Sequence, residues 1–468
     1  MEVTIIGWIV IVLTIYCFFR NEEWLLYLGI FFSTFTATSI FNIQKTITGM
    51  PPFYFIIAFW ILRVMINYFK AGNKIDINQV FKVIKKNKLI KALLIFSIIL
   101  ILGELFMLIT GNVINIYDKL NKVSFTLKFS GSNITQPIYI LLMIVFSIVL
   151  SLKLRSKEKI KKVIIVFIIS TLFALVWGII QFCMFYLNIE YPAYLFNNNI
   201  ALAQLHYQMV YGIKRVNSIA LEPSTFSLNI LALLPLIMTL WLANFKIIEN
   251  KFKSNSLLLG IILITLVCGI LTTSSTAYIG IFLTVLLLTI YISFFSIKNG
   301  EFRKNKIRLI LFYIILLISA FIVMFLVIKV FDVYWGTLFD MFKDMTINKI
   351  NLESGHERGN AIKITFQIFK QSPILGIGWG SFRSLDLLTN ILSSMGILGL
   401  LSYFYIIFVV INTALKRRNN DEVVIIGLTL TVVVMSIALL ISIPDLIFGY
   451  YWMVIVITYN YCSNMEDN

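Results

Sequence analysis

Long apolar runs follow one another along almost the whole chain, and that succession leaves very few folds open. A span needs about 20 mostly apolar residues to cross the hydrocarbon of a bilayer. Thirteen segments meet that description: Val3–Phe19, Trp24–Ile43, Phe53–Phe69, Ala92–Thr110, Pro137–Leu152, Val163–Leu187, Pro223–Asn244, Leu257–Leu271, Ala277–Phe295, Ile307–Ile328, Ile391–Leu415, Val423–Ile443 and Leu446–Tyr461. Inside lipid the backbone must bond to itself, so each run is expected as a helix; a closed barrel would show short alternating strands instead. The predicted fold is all-α, a polytopic integral membrane bundle of about 13 helices forming a single transmembrane domain over residues 1–468. A hydrophobic share of 59% and a charged share of 13% exclude a soluble protein built on one core.

The formal charge of +17 invites a nucleic-acid reading, but the positives are not spread as a binding face requires. They collect in alternate loops, at Lys70–Lys91, Lys153–Lys162, Lys246–Lys253, Lys298–Arg308 and Lys416–Arg418. The positive-inside rule assigns these loops to the cytoplasm. The outer side then receives Gly111–Gln136, the loop 188–221, the turn around Thr272–Thr276 and the long loop 330–390, while the C-terminus falls inside. The first two segments are less firmly oriented, and either can be re-entrant. Met1–Phe19 lacks a positive flank and a small-residue cleavage site, so it is expected to be a retained helix and not a signal peptide. Cys17, Cys183, Cys268 and Cys462 stand at unrelated spacings in apolar helices, and the histidines are His206 and His356. Neither set suggests a metal centre, and no cofactor is expected.

Charge near the outer ends of spans is the default mark of a functional site in such a chain. The run Arg215-Val216-Asn217-Ser218-Ile219-Ala220-Leu221-Glu222-Pro223-Ser224 sets an arginine and a carboxylate where a helix is about to enter the membrane. A residue before proline is pushed from helical geometry and proline suits the first helical position, so a helix is expected to start at Pro223. Glu222 is then either a general base or an acid that complements the helix dipole and pairs with Arg215. His356 is a second proton acceptor by its ordinary pKa. His206, beside Tyr207 and Tyr211, belongs either to a sugar-stacking surface or to an interfacial aromatic belt.

The loop 330–390 balances six basic against six acidic residues, so orientation does not explain its charges. Ile362, Phe366, Phe369 and Pro373 recur at helical spacing, as in an interfacial amphipathic helix. Gly376-Ile377-Gly378-Trp379-Gly380 breaks that helix with a tight turn, and Trp379 suits the headgroup level. Arg63 and Glu104 lie inside spans, where an unpaired charge costs at least about 2.5 kcal/mol; mutual pairing is the leading account, ahead of a substrate path or proton relay.

The order Glu353-Ser354-Gly355-His356-Glu357-Arg358, an amphipathic helix, Ser372-Pro373-Ile374-Leu375-Gly376-Ile377-Gly378-Trp379-Gly380-Ser381-Phe382, then Thr389-Asn390-Ile391-Leu392 and Met395-Gly396-Ile397-Leu398-Gly399-Leu400-Leu401 resembles the O-antigen polymerase and O-antigen ligase family. The run from Arg215 resembles that family's other outer-loop arginine, and Leu271-Thr272-Thr273-Ser274-Ser275-Thr276 looks like its turn before a span. Two positions depart from the family pattern. Thr389 stands where ligases carry histidine, and Ser275 where the turn carries arginine; the first favours a polymerase.

The resemblance implies a metal-independent glycosyltransferase in the bacterial cytoplasmic membrane, working at the outer face. It would join polyprenyl-pyrophosphate-linked oligosaccharide repeat units into a capsule, exopolysaccharide or O-antigen. Its partners would be a lipid-linked glycan donor and acceptor, the lipid bilayer, a chain-length regulator and a flippase, with no nucleic acid. Arg215 and Arg358 would hold the pyrophosphate, since a guanidinium binds phosphate oxygens at two points and stays charged. Glu222 is the favoured base and His356 the second; Ser224, Asn390 and Trp379 complete the expected substrate-contacting set. The rivals are a ligase that moves a finished glycan and, from another class, a repeat-unit flippase. A flippase should carry polar residues through the bilayer midplane, whereas here they gather in outer loops.

Overall fold

In the computed structural model, residues 2–44, 48–72, 82, 84–110, 114–118, 120–200, 207–210, 212–294, 353–417 and 422–463 are described, with scattered positions between 310 and 344. The expected span Ile307–Ile328 and most of 330–352 lie outside these stretches, as do His206 and Tyr211. The protein is an all-α membrane bundle. Its main helices are α1 (Ile5–Arg20), α2 (Glu22–Phe32), α3 (Pro52–Lys70), α4 (Lys88–Thr110), α5 (Ser132–Lys153), α6 (Lys157–Tyr186), α7 (Pro223–Leu231), α8 (Leu234–Leu242), α9 (Lys251–Leu271), α10 (Ser275–Phe294), α11 (Glu353–Gln371), α12 (Leu387–Leu415), α13 (Glu422–Ser442) and α14 (Gly449–Ser463). Among the described residues, nine spans are long and apolar enough to cross a membrane: α3, α4, α5, α6, the α7–α8 rod, α9, α10, α12 and α13.

The second expected span takes a different form. Helix α2 stops at Phe32, and the chain continues through turns to a short strand at Phe41–Ile43. Non-helical backbone at membrane depth is tolerated where protein encloses it. Residues 32–35 and 37–40 are buried, and their polar groups bond to the loop after α6: Thr38 Oγ1 donates to Phe196 O at 2.8 Å, and Ala37 N donates to Ile219 O at 3.2 Å.

Two elements form the interior of the bundle. Helix α14 is buried over Gly449–Cys462, and every residue of Pro223–Leu242 except Ser224 is buried. A helix that is apolar on all sides has no lipid face to prefer and settles in the middle. The α7–α8 rod packs against α9, α10 and α13, and bends at Ala232-Leu233, where Pro235 in the next turn lacks the donor that would continue one ladder.

Outside the bundle, a hairpin of β1 (Ile114–Asp118) and β2 (Val123–Leu127) lies on α11. Gln367 holds it from both sides, accepting from Tyr117 N at 3.2 Å and donating to Tyr117 O at 3.0 Å. The expected amphipathic helix is therefore present, but Ile364 and Ile368 make its protein-facing side, with Met107, Ile114 and Ile116. Ile362 and Phe366, the residues whose spacing announced the helix, are exposed. The helix has two apolar faces, and only one is used by the protein.

Candidate active site

Proline fixes where the central rod begins. Pro223 occupies the first turn of α7, and Glu222 is its N-cap with extended backbone, φ −148° and ψ 163°. The Glu222 N–H donates to Thr225 Oγ1 at 3.1 Å, and its carboxylate accepts from the Ser224 hydroxyl. The rod thus brings a carboxylate and a positive dipole end out of the interior to one end of the bundle.

The segment leading to Glu222 is held by a buried amide. Gln181 Oε1 accepts from Asn217 N at 3.1 Å and Ser218 N at 2.8 Å, while Gln181 Nε2 donates to Asn217 Oδ1 at 2.9 Å. Ser218 takes the left-handed conformation, φ +54°, and its hydroxyl donates to Ala174 O at 2.6 Å. With the backbone pinned in this way, Arg215 turns toward the α9–α10 connection. Its Nε donates to Thr272 O and Thr273 Oγ1, both at 3.1 Å, and Nη1 donates to Gln208 Oε1 at 2.6 Å. Burial lowers the Arg215 pKa from its ordinary value, with the Glu222 carboxylate and the Tyr278 hydroxyl acting in the opposite sense.

A second arginine lies at this end of the bundle from the other half of the chain, and no local pattern in the sequence singles it out. Arg383 donates to Asp445 Oδ2 at 2.6 Å while its side chain remains 59% exposed, so it is anchored yet accessible to a ligand. The Asp445 carboxylate raises its pKa above the ordinary value, and Glu222 adds to that effect. Leu221, next to Glu222, and Ile447, two residues from Asp445, line one small space, so the two segments adjoin near the head of α7. Asp445, a lone acid between the last two apolar runs, was the available signal.

Arg358 sits beside this pair. Nη1 donates to Leu385 O at 3.3 Å and Ile441 O at 3.2 Å, and Nη2 to Ser442 O at 3.4 Å. It caps the C-terminal carbonyls of α13, where positive charge is favoured, and ties them to the loop that carries Arg383. Arg215 and Arg358 thus occupy the same end of the bundle, linked through Glu222 and Arg383.

Asn390 and Thr389 fix that loop from within. Asn390 Oδ1 accepts from Ser384 N at 3.1 Å, and its Nδ2 donates to Pro444 O at 2.9 Å. Both ends of this buried amide are spent on the backbones flanking Arg383 and Asp445, so its place is in positioning the pair. Asn390→Ala should leave two buried backbone groups unbonded, at about 1–3 kcal/mol each, and loosen Arg383. Loss of transfer by about 10²-fold, as expected for a misplacement near 1 Å, together with a lowered melting temperature in detergent, is the expected outcome.

The glycine-rich turn takes its expected left-handed form, with φ +69° at Gly376, +79° at Gly378 and +103° at Gly380. It is locked against α4 and α5. Glu104 accepts from Trp379 N and, at 3.2 Å, from Asn133 Nδ2, and a Cβ on Gly378 would come 2.5 Å from Glu104 Oε2. Gly378→Ala should cost about 1–2 kcal/mol from the left-handed backbone alone and push Glu104 aside; a lower melting temperature with reduced transfer checks this.

Three expectations need correction. Glu104 does not pair with Arg63, whose guanidinium lies 5.6 Å from the Phe18 ring centre. Counted at 1.5 Å per residue from the basic ends of α4 and α3, the two charges differ in depth by about 14 Å. Trp379 does not face lipid headgroups: at 2% exposure it is a core ring. His356 is exposed and stands two residues from Arg358 on α11, about 200° around the helix, so the structure does not bring it to the arginines.

The fold defines an integral membrane protein with Glu222, Arg215, Arg358 and Arg383 gathered at one end of the bundle. Residues 260–391 match the family model described as O-antigen ligase, which supports an O-antigen ligase/polymerase family for this chain. The match covers over a quarter of the chain and includes Arg358, Arg383, Thr389 and Asn390, while Arg215 and Glu222 lie upstream of it. It indicates a membrane glycan transferase of the O-antigen ligase or polymerase type. No curated protein matches the chain.

Proposed function

We propose that this protein polymerises polyprenyl-pyrophosphate-linked oligosaccharide repeat units into a surface polysaccharide at the outer face of the bacterial cytoplasmic membrane. The observation that carries the reading is Glu222 capping a buried helix at the end of the bundle where Thr272 and Thr273 hold Arg215 and Asp445 holds Arg383. A glycosyl diphosphate needs its leaving group neutralised and its acceptor hydroxyl relieved of a proton. Arg215 and Arg383, with Arg358 behind the Leu385 carbonyl, supply positive charge to the diphosphate, and Ser224 lies beside Glu222 in the first turn of α7. The acceptor oxygen attacks the anomeric carbon as Glu222 takes the proton. The bond from that carbon to the diphosphate oxygen breaks, and polyprenyl diphosphate leaves with the bonding pair. No bound metal is needed for this balance.

A ligase reading is favoured by the description of the matching family, but Thr389 argues against it. The position where the resembled ligases carry histidine holds a buried hydroxyl paired with Ser384 Oγ, which leaves proton transfer to Glu222. Purified protein incubated in detergent with a polyprenyl-pyrophosphate-linked repeat unit separates the cases. Polymerisation yields a ladder of longer lipid-linked glycans and free polyprenyl diphosphate. Transfer only to an added non-homologous acceptor would mean a ligase, and transport in vesicles without covalent change would mean a carrier.

A further inference from the structure

Helix α12 starts after Asp386, at the arginine site, is broken at Gly396 (φ +62°, ψ −160°), and continues to Lys416 at the opposite end of the bundle. At that far end the termini of α4, α5, α6, α12 and α14 border a half-open cavity of about 800 Å³, within the size range of ligand pockets, about 300–1,000 Å³. Six cations from three stretches of the chain line it, Lys86, Lys88, Arg155, Lys157, Lys416 and Arg417, and among the described lining residues the one acid is Glu158. Two neighbouring acids are engaged elsewhere, Glu22 by Lys153 at 2.7 Å and Glu23 by Lys159 at 2.9 Å.

The wall between the cations is built from satisfied polar groups. Asn460 Nδ2 donates to Ser151 O at 2.9 Å and Leu154 O at 3.0 Å, Ser151 Oγ donates to Asn460 Oδ1 at 3.1 Å, and Asn87 Nδ2 donates to Ser151 Oγ at 3.2 Å. The N-termini of α4 and α6 also open here, each adding a positive dipole end. Orientation in a membrane accounts for basic residues at this end, but it does not require them to converge on a concave, walled space.

We propose that this cavity is a binding site for a phosphate-bearing anion of headgroup size, separate from the transferase site. Basic pockets between membrane helices hold anionic headgroups through this combination of charge and enclosure. The same chemistry serves a phospholipid headgroup and a soluble phosphate, and the experiment distinguishes them.

Full-length protein is purified at about 0.15 M salt, where the screening length is about 8 Å, and phosphatidylglycerol retention is read by native mass spectrometry against phosphatidylcholine. In parallel, the rise in melting temperature with inorganic phosphate is measured in lipid-free detergent. The triple variant Lys88→Gln/Arg155→Gln/Lys416→Gln is compared with a charge-matched control, Lys70→Gln/Lys161→Gln/Lys162→Gln, whose cations lie outside the cavity. Retention should fall about 10- to 100-fold in the first, at up to about one kcal/mol per cation, and stay near wild type in the second. A response to inorganic phosphate alone, lost in the first variant only, assigns the site to a soluble anion. Equal loss in both variants, or no anion response in the wild type, overturns the proposal. If the triple variant does not fold, the single substitutions Lys88→Gln and Lys416→Gln are read in the same way.

Discussion

Alanine at Arg383 is expected to abolish glycan transfer while the protein remains inserted in the membrane. The guanidinium is more than half exposed yet fixed by Asp445, so it presents a preorganised charge where a diphosphate would arrive. Removing one such donor from a developing negative charge typically costs about 10²–10³-fold in turnover. Exposed ion pairs contribute little to stability, so the loss should appear in transfer and leave the melting temperature nearly unchanged. Arg383→Lys should recover part of the activity, because the charge returns without the two-point fork. Asp445→Asn should give an intermediate loss, because Arg383 stays charged but is no longer aimed. Wild-type polymer from Arg383→Ala would remove this residue from the site.

Glu222→Gln carries the second large effect. The substitution keeps the shape of the side chain and an oxygen for the Ser224 hydroxyl, but it cannot accept the acceptor's proton. A positioned general base is worth about 10²–10⁴-fold, and the expected fall lies in kcat with little change in KM. If Glu222 serves only to complement the α7 dipole, the variant should lose some stability, within about 0.3–1 kcal/mol, and keep its turnover. Activity and melting temperature measured on the same preparations therefore separate the two roles.

Much of this was legible in the sequence because membrane physics leaves few choices. Apolar length announced most of the described helices, and Pro223 gave the start of the central rod to the residue. Arg215 and Arg358 stood out as outer-loop guanidinium groups, and the structure puts both at the same end as Glu222. Arg383 did not stand out, since it was one of six cations in a loop balanced by six acids. What distinguishes it is Asp445, 62 positions away, a separation that no local pattern reports. Asn390 and Gln181 were opaque for the same reason: their bonds are to backbone groups remote in sequence. Arg63 and Glu104 do not pair because helical rise sets them at different depths, which rarity of charge in spans does not report. The exposed Ile362 and Phe366 carry a similar lesson. Spacing reveals an apolar face but does not say whether protein or lipid covers it.

The central claim is that one diphosphate is held where Arg215, Arg383 and Glu222 meet at the head of α7. Electron cryomicroscopy of the protein with a polyprenyl diphosphate bound tests it most directly. Both phosphates should lie within about 4 Å of guanidinium nitrogens of Arg215 and Arg383, the range of an ion pair, with Glu222 facing the glycosyl end. No diphosphate density within reach of both arginines, whatever occupies the lysine-lined end, would contradict it.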